Sequence, residues 1–350
     1  MPHAFVEKAE PAVLRALMAL PRPVMRALAG RPVVVDGQML DTETQLMLRL
    51  QRLTGEPAAE TLPMEDARVA IRRQARMVGG NQPIGLVRDL SVPGAEEEIP
   101  ARLYVPRGRV ASPRPSPLLF FVHGGGMMFG DLDSHDAMCR FLAEHADVRV
   151  LSIDYRLAPE HPFPAAVEDC WASFQWVSEY AEQLGVDPDR IAVGGDSAGG
   201  YLSAVTAIRA AEAGLPVAYQ LLIYPVTNMA DKSDSRVTFG EGFFLTSAFM
   251  DLAEASYILD HHDRRDPRIS VYFHDSVPAN LAPAFVATAG FDPLRDEGEA
   301  YAQLLAERGV EVEMQRYPGF IHGFANVVGV GRSNRDAMRS IAQRLRRALA

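Results

Sequence analysis

Apolar residues recur along this chain with two different periods. Over roughly the first 85 residues the spacing is helical. Leu14, Leu17 and Met18 share a face until Pro21 and Pro23 break the pattern. Leu46, Leu50 and Leu53 follow at steps of four and three, and Gly55 with Pro57 stops that helix. Residues 64–78 predict a further helix with Arg72, Arg73 and Arg76 on its wet side. The stretch 11–30 is basic and partly apolar, as a membrane-surface helix would be. Its two prolines cut it short and favour a packed amphipathic helix instead.

From residue 86 the texture changes. Val87–Val92 and Ile99–Val105 alternate as antiparallel strands do, with a Pro-Gly-Ala turn between them. Continuous apolar runs then follow at Leu118–Val122, Val148–Ile153, Ile191–Val193, Tyr219–Ile223, Ala284–Ala289 and Val312–Tyr317. Helical stretches separate them, over 134–146, 165–184, 198–213, 294–308 and 334–349. Strands that are apolar throughout and alternate with helices predict an α/β fold, a mostly parallel sheet covered on both faces. Residues 227–280 interrupt the alternation with one helical segment, 247–259, and polar loops. They read as an insertion above the sheet that forms a helical cap together with residues 1–85. The catalytic domain is then 86–226 with 281–350.

Composition narrows the function classes. There are 35 basic and 45 acidic residues, a net charge of −10. That excess argues against sequence-independent nucleic-acid binding, which needs clustered Lys and Arg, and against an anionic membrane surface. With 48% hydrophobic and 23% charged residues the chain is ordinary for a globular protein, not disordered. Cys139 and Cys170 form no CxxC-type pair, so neither a disulfide framework nor a structural zinc site is expected, and a reducing cytoplasm is the simplest setting. No apolar run is long enough for membrane insertion. The start, Met-Pro-His-Ala-Phe-Val-Glu, lacks the basic-then-apolar order of a signal peptide.

Two glycine-rich segments carry chemistry. The first, Gly-Gly-Asp-Ser-Ala-Gly-Gly over 194–200, lies between the run Ile191–Val193 and the helix from Ala198. Gly195-x-Ser197-x-Gly199 within it is a GxSxG. Such a turn is sharp: Ser197 takes a strained backbone, and a Cβ two positions to either side would collide with the neighbouring strand and helix. The turn lifts Oγ out at the carboxyl end of the sheet, where open α/β sheets bind ligands. The pattern alone arises by chance in about one chain in ten of this size; its strand-to-helix setting makes it informative. The second, His123-Gly124-Gly125-Gly126, directly follows Leu118–Val122. Its glycines let main-chain N–H groups line a cavity. Gly125 and Gly126, joined by Ala198 after the nucleophile, are the candidate oxyanion donors. A phosphate cradle would continue with Lys-Ser/Thr; here Met127-Met128-Phe129 follow.

These segments, with Asp154-Tyr-Arg-Leu-Ala-Pro-Glu-His-Pro-Phe-Pro-Ala, Asp292-Pro-Leu-Arg-Asp-Glu-Gly and His322-Gly-Phe, come in one order. In this the chain resembles the hormone-sensitive-lipase-like family of α/β-hydrolases, bacterial carboxylesterases with the nucleophile in Gly-Asp-Ser-Ala-Gly. The resemblance spans about residues 85–350. Met127-Met128 departs from it, since relatives often carry an aromatic and then a small or aliphatic residue there. The resemblance implies an α/β-hydrolase fold and a serine carboxylesterase acting on small-molecule esters with short- to medium-chain acyl groups, with no cofactor. It allows a homodimer through the last strand and its neighbouring helix. An amidase or deacetylase is an alternative, as is a non-catalytic small-molecule-binding relative.

An acyl-enzyme mechanism needs a base for Ser197 and a carboxylate to orient it, and in this fold the order is Ser, acid, His. Of nine histidines only His322 follows a late strand in a flexible loop. Asp292, just past Ala284–Ala289, is the candidate acid. Its rivals Asp296 and Glu297 are explained by helix-start electrostatics alone. Asp196 should point away from Ser197 Oγ and make local hydrogen bonds. Tyr155-Arg156 and Glu160-His161 read as scaffolding for the glycine-rich loop. His261-His262-Asp263 is a poor metal set, because adjacent histidines diverge. Phe239, Phe243, Phe244, Phe249 and Tyr257 are either cap core or substrate-pocket wall, with Met127, Phe243 and Phe244 as candidate substrate contacts. Trp171 and Trp176 are expected to face the sheet.

Overall fold

The computed structural model describes residues 11–112 and 114–350. The first ten residues, where the N-terminal leader was sought, lie outside them. Eight strands form the main sheet: β1 Leu86–Pro93, β2 Glu98–Val105, β3 Ser116–Val122, β4 Arg149–Ile153, β5 Val186–Asp196, β6 Tyr219–Ile223, β7 Ala284–Phe291 and β8 Val312–Ile321. Their order across the sheet is β8-β7-β6-β5-β3-β4-β2-β1. The β1–β2 and β2–β4 pairs are antiparallel and the rest are parallel.

Alternation along each strand feeds two cores. Leu118, Phe120 and Val122 point to the face covered by helices Ala165–Glu179, Ala198–Ala213 and Arg295–Glu307. Leu119 and Phe121 point to the other, covered by Asp136–Ala146 and Ser333–Ala348. Burial on both faces is what the uniformly apolar strands require. Phe174 meets Phe120 edge-on at 5.7 Å. Trp171 and Trp176 pack against the same core. Both tryptophans are half-buried on the helix flank, Trp171 beneath the guanidinium of Arg209 at 4.8 Å and Trp176 stacked on Tyr180.

The N-terminal part contains helices Arg22–Ala29, Thr42–Thr54 and Met64–Gly79, with helical turns over 11–18. It is not wholly helical: Val34–Val35 and Gln38–Met39 form a small hairpin. Met18, Met25 and Ala29 pack on Leu46 and Val330, so the stretch 11–30 is a packed amphipathic segment. The arginines of Met64–Gly79 are not simply solvated. Arg72 pairs with Asp131 at 2.5 Å, Arg76 with Asp133 at 2.7 Å and Arg73 with Glu56, while Arg68 pairs with Glu160 at 2.7 Å. The helix is thereby fastened to the segments that follow β3 and β4. The insertion between β6 and β7 holds helices Asp234–Thr238 and Ser247–Tyr257. It touches the N-terminal part where Arg52 donates to Gly242 O at 2.8 Å and Thr246 donates to Glu60 at 2.5 Å. No helix among the described residues is long and apolar enough to cross a membrane.

Candidate active site

The site grows from the end of β5. Its last residue is Asp196; Ser197 then takes φ 57° and ψ −121°, and the next helix starts at Ala198. This left-handed corner is tolerated because its surroundings are glycine. A Cβ on Gly195 or on Gly199 would overlap the carbonyl of Val122 at the end of β3. The amide of Ser197 donates to Ile223 O at 2.8 Å, tying the corner to β6.

The glycine-rich loop leaves β3 at this contact. Gly125, Gly126 and Met127 all have positive φ, at 120°, 63° and 58°. Gly124 N donates to Asp196 Oδ1 at 3.0 Å, which joins the loop to the serine corner. Among the described residues no acceptor engages the N–H groups of Gly125, Gly126 or Ala198. Tyr155 supports the loop from below, donating to His123 O at 2.9 Å and stacking on the His123 ring at 4.3 Å. Burial, reinforced by the neighbouring His135, lowers His123 to about 4, so its imidazole is neutral at neutral pH. Ala158 N donates to Met127 O at 2.8 Å, and Arg156 makes a buried two-point contact with Asp169. The Asp-Tyr-Arg segment is thus packed beneath the glycine-rich loop.

Asp292 follows β7 and His322 follows β8. His322 Nε2 lies 2.9 Å from Ser197 Oγ, and Nδ1 lies 2.8 Å from Asp292 Oδ2. The second carboxylate oxygen of Asp292 accepts from Leu294 N at 2.9 Å, and the residue is fully buried. The three side chains therefore form one hydrogen-bonded row. The rival carboxylates stand outside it. Asp296 binds Arg295 and Ser235 N; Glu297 accepts from Thr227 N and Asn228 N. Asp196 faces away from the row, toward Gly124 N, His135, Tyr224 and Asn326. Burial alone would raise its carboxyl, but His135 and the Gly124 amide outweigh that and hold it below the ordinary value. These partners come from distant segments, and no spacing in the sequence announces them.

The aromatic residues divide. Phe239 and Tyr257 are fully buried, and Phe243 packs on Phe239 and Phe291. Phe244 is 50% exposed at φ 82°, its ring beside Gly323, the neighbour of His322. Phe249 and Ala253, one turn apart on Ser247–Tyr257, lie against Gly126. Ala253 is absent from the sequence-derived set, although its i, i+4 spacing from Phe249 puts both on one helix face. Met127 is buried. Among the described residues no three His, Cys, Asp or Glu side chains gather as a metal set; contrary to the expected divergence, the rings of His261 and His262 lie against each other at 4.1 Å, and Phe163 meets His262 edge-on.

A serine on a strained strand-to-helix corner, backed by a buried imidazole–carboxylate pair, on a sheet of this order defines an α/β hydrolase. The alpha/beta hydrolase fold family matches residues 119–326, and the chain belongs to it. The chain is 44% identical over 349 residues to the carboxylic ester hydrolase LipN of Mycobacterium tuberculosis, covering 96% of this chain and 91% of that one. It is 39% identical over 280 residues to the esterase LipI of the same organism, covering 77% and 85%. The solved structure of a hyperthermophilic esterase from the archaeon Pyrobaculum calidifontis superimposes with a TM-score of 0.82 at 39% identity, covering 89% and 99%. Within the family this protein is a hormone-sensitive-lipase-like carboxylesterase, of the carboxylic ester hydrolase class.

Proposed function

We propose that the protein hydrolyses small carboxylic esters through an acyl-enzyme on Ser197. The observation that carries this reading is the row Ser197 Oγ–His322 Nε2–His322 Nδ1–Asp292 Oδ2, at 2.9 and 2.8 Å. His322 takes the hydroxyl proton as Oγ attacks the ester carbonyl. Asp292 holds the tautomer that leaves Nε2 free to accept, and it stabilises the imidazolium. The amides of Gly125, Gly126 and Ala198 receive the charge that develops on the carbonyl oxygen, each donor being worth about 3–4 kcal/mol in comparable sites. His322 returns its proton to the departing alkoxide. It then activates a water that cleaves the acyl–Ser197 bond, releasing the acid and restoring the serine. Side chains, amides and water supply every proton and bond in this cycle.

Short- to medium-chain acyl groups are the proposed substrates. The support is the family resemblance, which implies such substrates, together with two aromatic side chains near the row, Phe249 against Gly126 and Phe244 beside Gly323. Turnover of a p-nitrophenyl ester series of increasing acyl length tests both parts. Ser197→Ala should abolish turnover while the circular dichroism spectrum stays native, and wild-type rates should fall toward long acyl chains. Undiminished turnover in Ser197→Ala overturns the reading.

A further inference from the structure

The N-terminal hairpin and the start of the helix after it grip the two loops that carry Asp292 and His322. Phe291 and Ile321 pair across β7 and β8, and each immediately precedes one of those two residues. Both share one apolar cluster with Leu40, Leu48 and Phe239, against which Val33, Val35 and Phe243 pack.

Polar contacts bracket the same place. The amide of Asp41 donates to Gly319 O at 2.9 Å, three residues before His322. Beyond His322, Ser333 Oγ donates to Asp41 Oδ2 at 3.2 Å. Glu43 Oε2 accepts from Arg332 N at 2.6 Å and from Ser333 N at 2.9 Å, where the last helix begins. On the other loop, Arg295 donates to Asp36 Oδ2 at 3.0 Å, three residues after Asp292.

Glu43 is the unusual member. Its carboxylate is buried, at 6% exposure, and among the described residues no Lys or Arg pairs with it. Its compensation is the two amides and the positive end of the helix they open. A helix start at the surface could use water or its own side chain as a cap. Here the cap is delivered from 289 positions away in the chain, by the segment that also holds residue 319. Residues 319 and 332, on either side of His322, are thereby fixed to one rigid element.

We infer that Glu43 is a positioning residue for the reaction, setting the His322 loop, through residues 332 and 333, at the distance His322 needs from Ser197 and Asp292. The inference rests on the triad reading above. A displacement of about 1 Å at a reacting group costs on the order of 100-fold in rate.

Steady-state kinetics on short p-nitrophenyl esters, with thermal melting measured in parallel, test it. Glu43→Ala should lower kcat by about 10- to 100-fold with KM within about threefold. Glu43→Gln, which still offers an oxygen to both amides, should restore most of the rate. The strongly deshielded proton resonance of an imidazole N–H held by a carboxylate, between His322 and Asp292, should broaden in Glu43→Ala and return in Glu43→Gln. Glu43→Asp, which keeps the charge but shortens the reach, carries the same comparison if the alanine variant is not recovered folded. A lowered melting temperature with wild-type kcat and an unchanged resonance overturns the inference, as does a loss confined to KM. His322→Ala, made alongside, separates the two readings. If it turns over ester, the triad reading fails. If it is inactive while Glu43→Ala is not, only the positioning role fails.

Discussion

At the scale of single residues, environment separates three neighbouring carboxylates into three tasks. Asp292 is fully buried, with one oxygen on His322 and the other on a main-chain amide. Asp296 is held by Arg295 and Ser235, and Glu297 by the amides of Thr227 and Asn228. Asp292→Asn should therefore cut kcat by about 10³–10⁴-fold, because an amide no longer selects the useful imidazole tautomer. Asp296→Asn should leave kcat within a few-fold. The reverse ranking in a pair of purified variants would reassign the acid. As candidates, Ser197 and Asp292 could be picked out in the sequence because each follows an apolar run, and His322 because it follows a late strand in the required chain order. The ring of contacts around Asp196 was not, because His135, Tyr224 and Asn326 reach it only through the tertiary fold.

Elements were legible where burial and periodicity coincide, and less so where they part. The run Ile191–Val193 marks only the middle of β5, which extends over Val186–Asp196. Gly194, Gly195 and Asp196 continue the ladder opposite Leu221, Leu222 and Ile223 without an apolar signature, because backbone pairing does not need one. The N-terminal hairpin was missed for a different reason. Asp36-Gly37 between Val34-Val35 and Gln38-Met39 is a strong two-residue turn signal, and both turn residues have positive φ, at 54° and 70°. Its strands are two residues long, too short for alternation to outweigh the helical pattern around them. At the serine corner the same backbone logic gives a sharper expectation. Gly199→Ala would press a methyl group into the Val122 carbonyl, where neither partner is a flexible side chain. Loss of soluble folded protein, or a melting temperature lowered by more than about 5 °C, is expected. A variant with native stability and turnover would show that the corner is less tightly packed than described.

For the whole molecule, the sequence indicated how many layers the fold has but not what fastens them. Arg72 meets Asp131 and Arg68 meets Glu160 across 59 and 92 positions, and the sequence-based expectation for Arg72 was solvent. Buried ionisable groups add a global pH response. Burial pushes the Glu297 carboxyl up to about 8 from its ordinary 4.5, against the opposing pull of the Thr227 and Asn228 amides. Between those two values the folded protein keeps a proton that the unfolded chain has released. The contribution of Glu297 to stability is therefore complete below about pH 4.5 and declines as pH rises to about 8. Glu297→Gln keeps an oxygen for both amides and cannot ionise, so its melting temperature should fall less between pH 5 and pH 8 than that of the wild type. Parallel curves for the two proteins would place the carboxyl in its charged form.

The contact between Glu43 and Ser333 joins positions 290 apart in the chain. During translation the early segment leaves the ribosome long before its partner exists. At cellular rates of about 5–20 residues per second the delay is roughly 15–60 s. Through that interval the hairpin's apolar side has nothing to cover, and a nascent chain released early would expose it to chaperones and proteases while lacking His322 altogether.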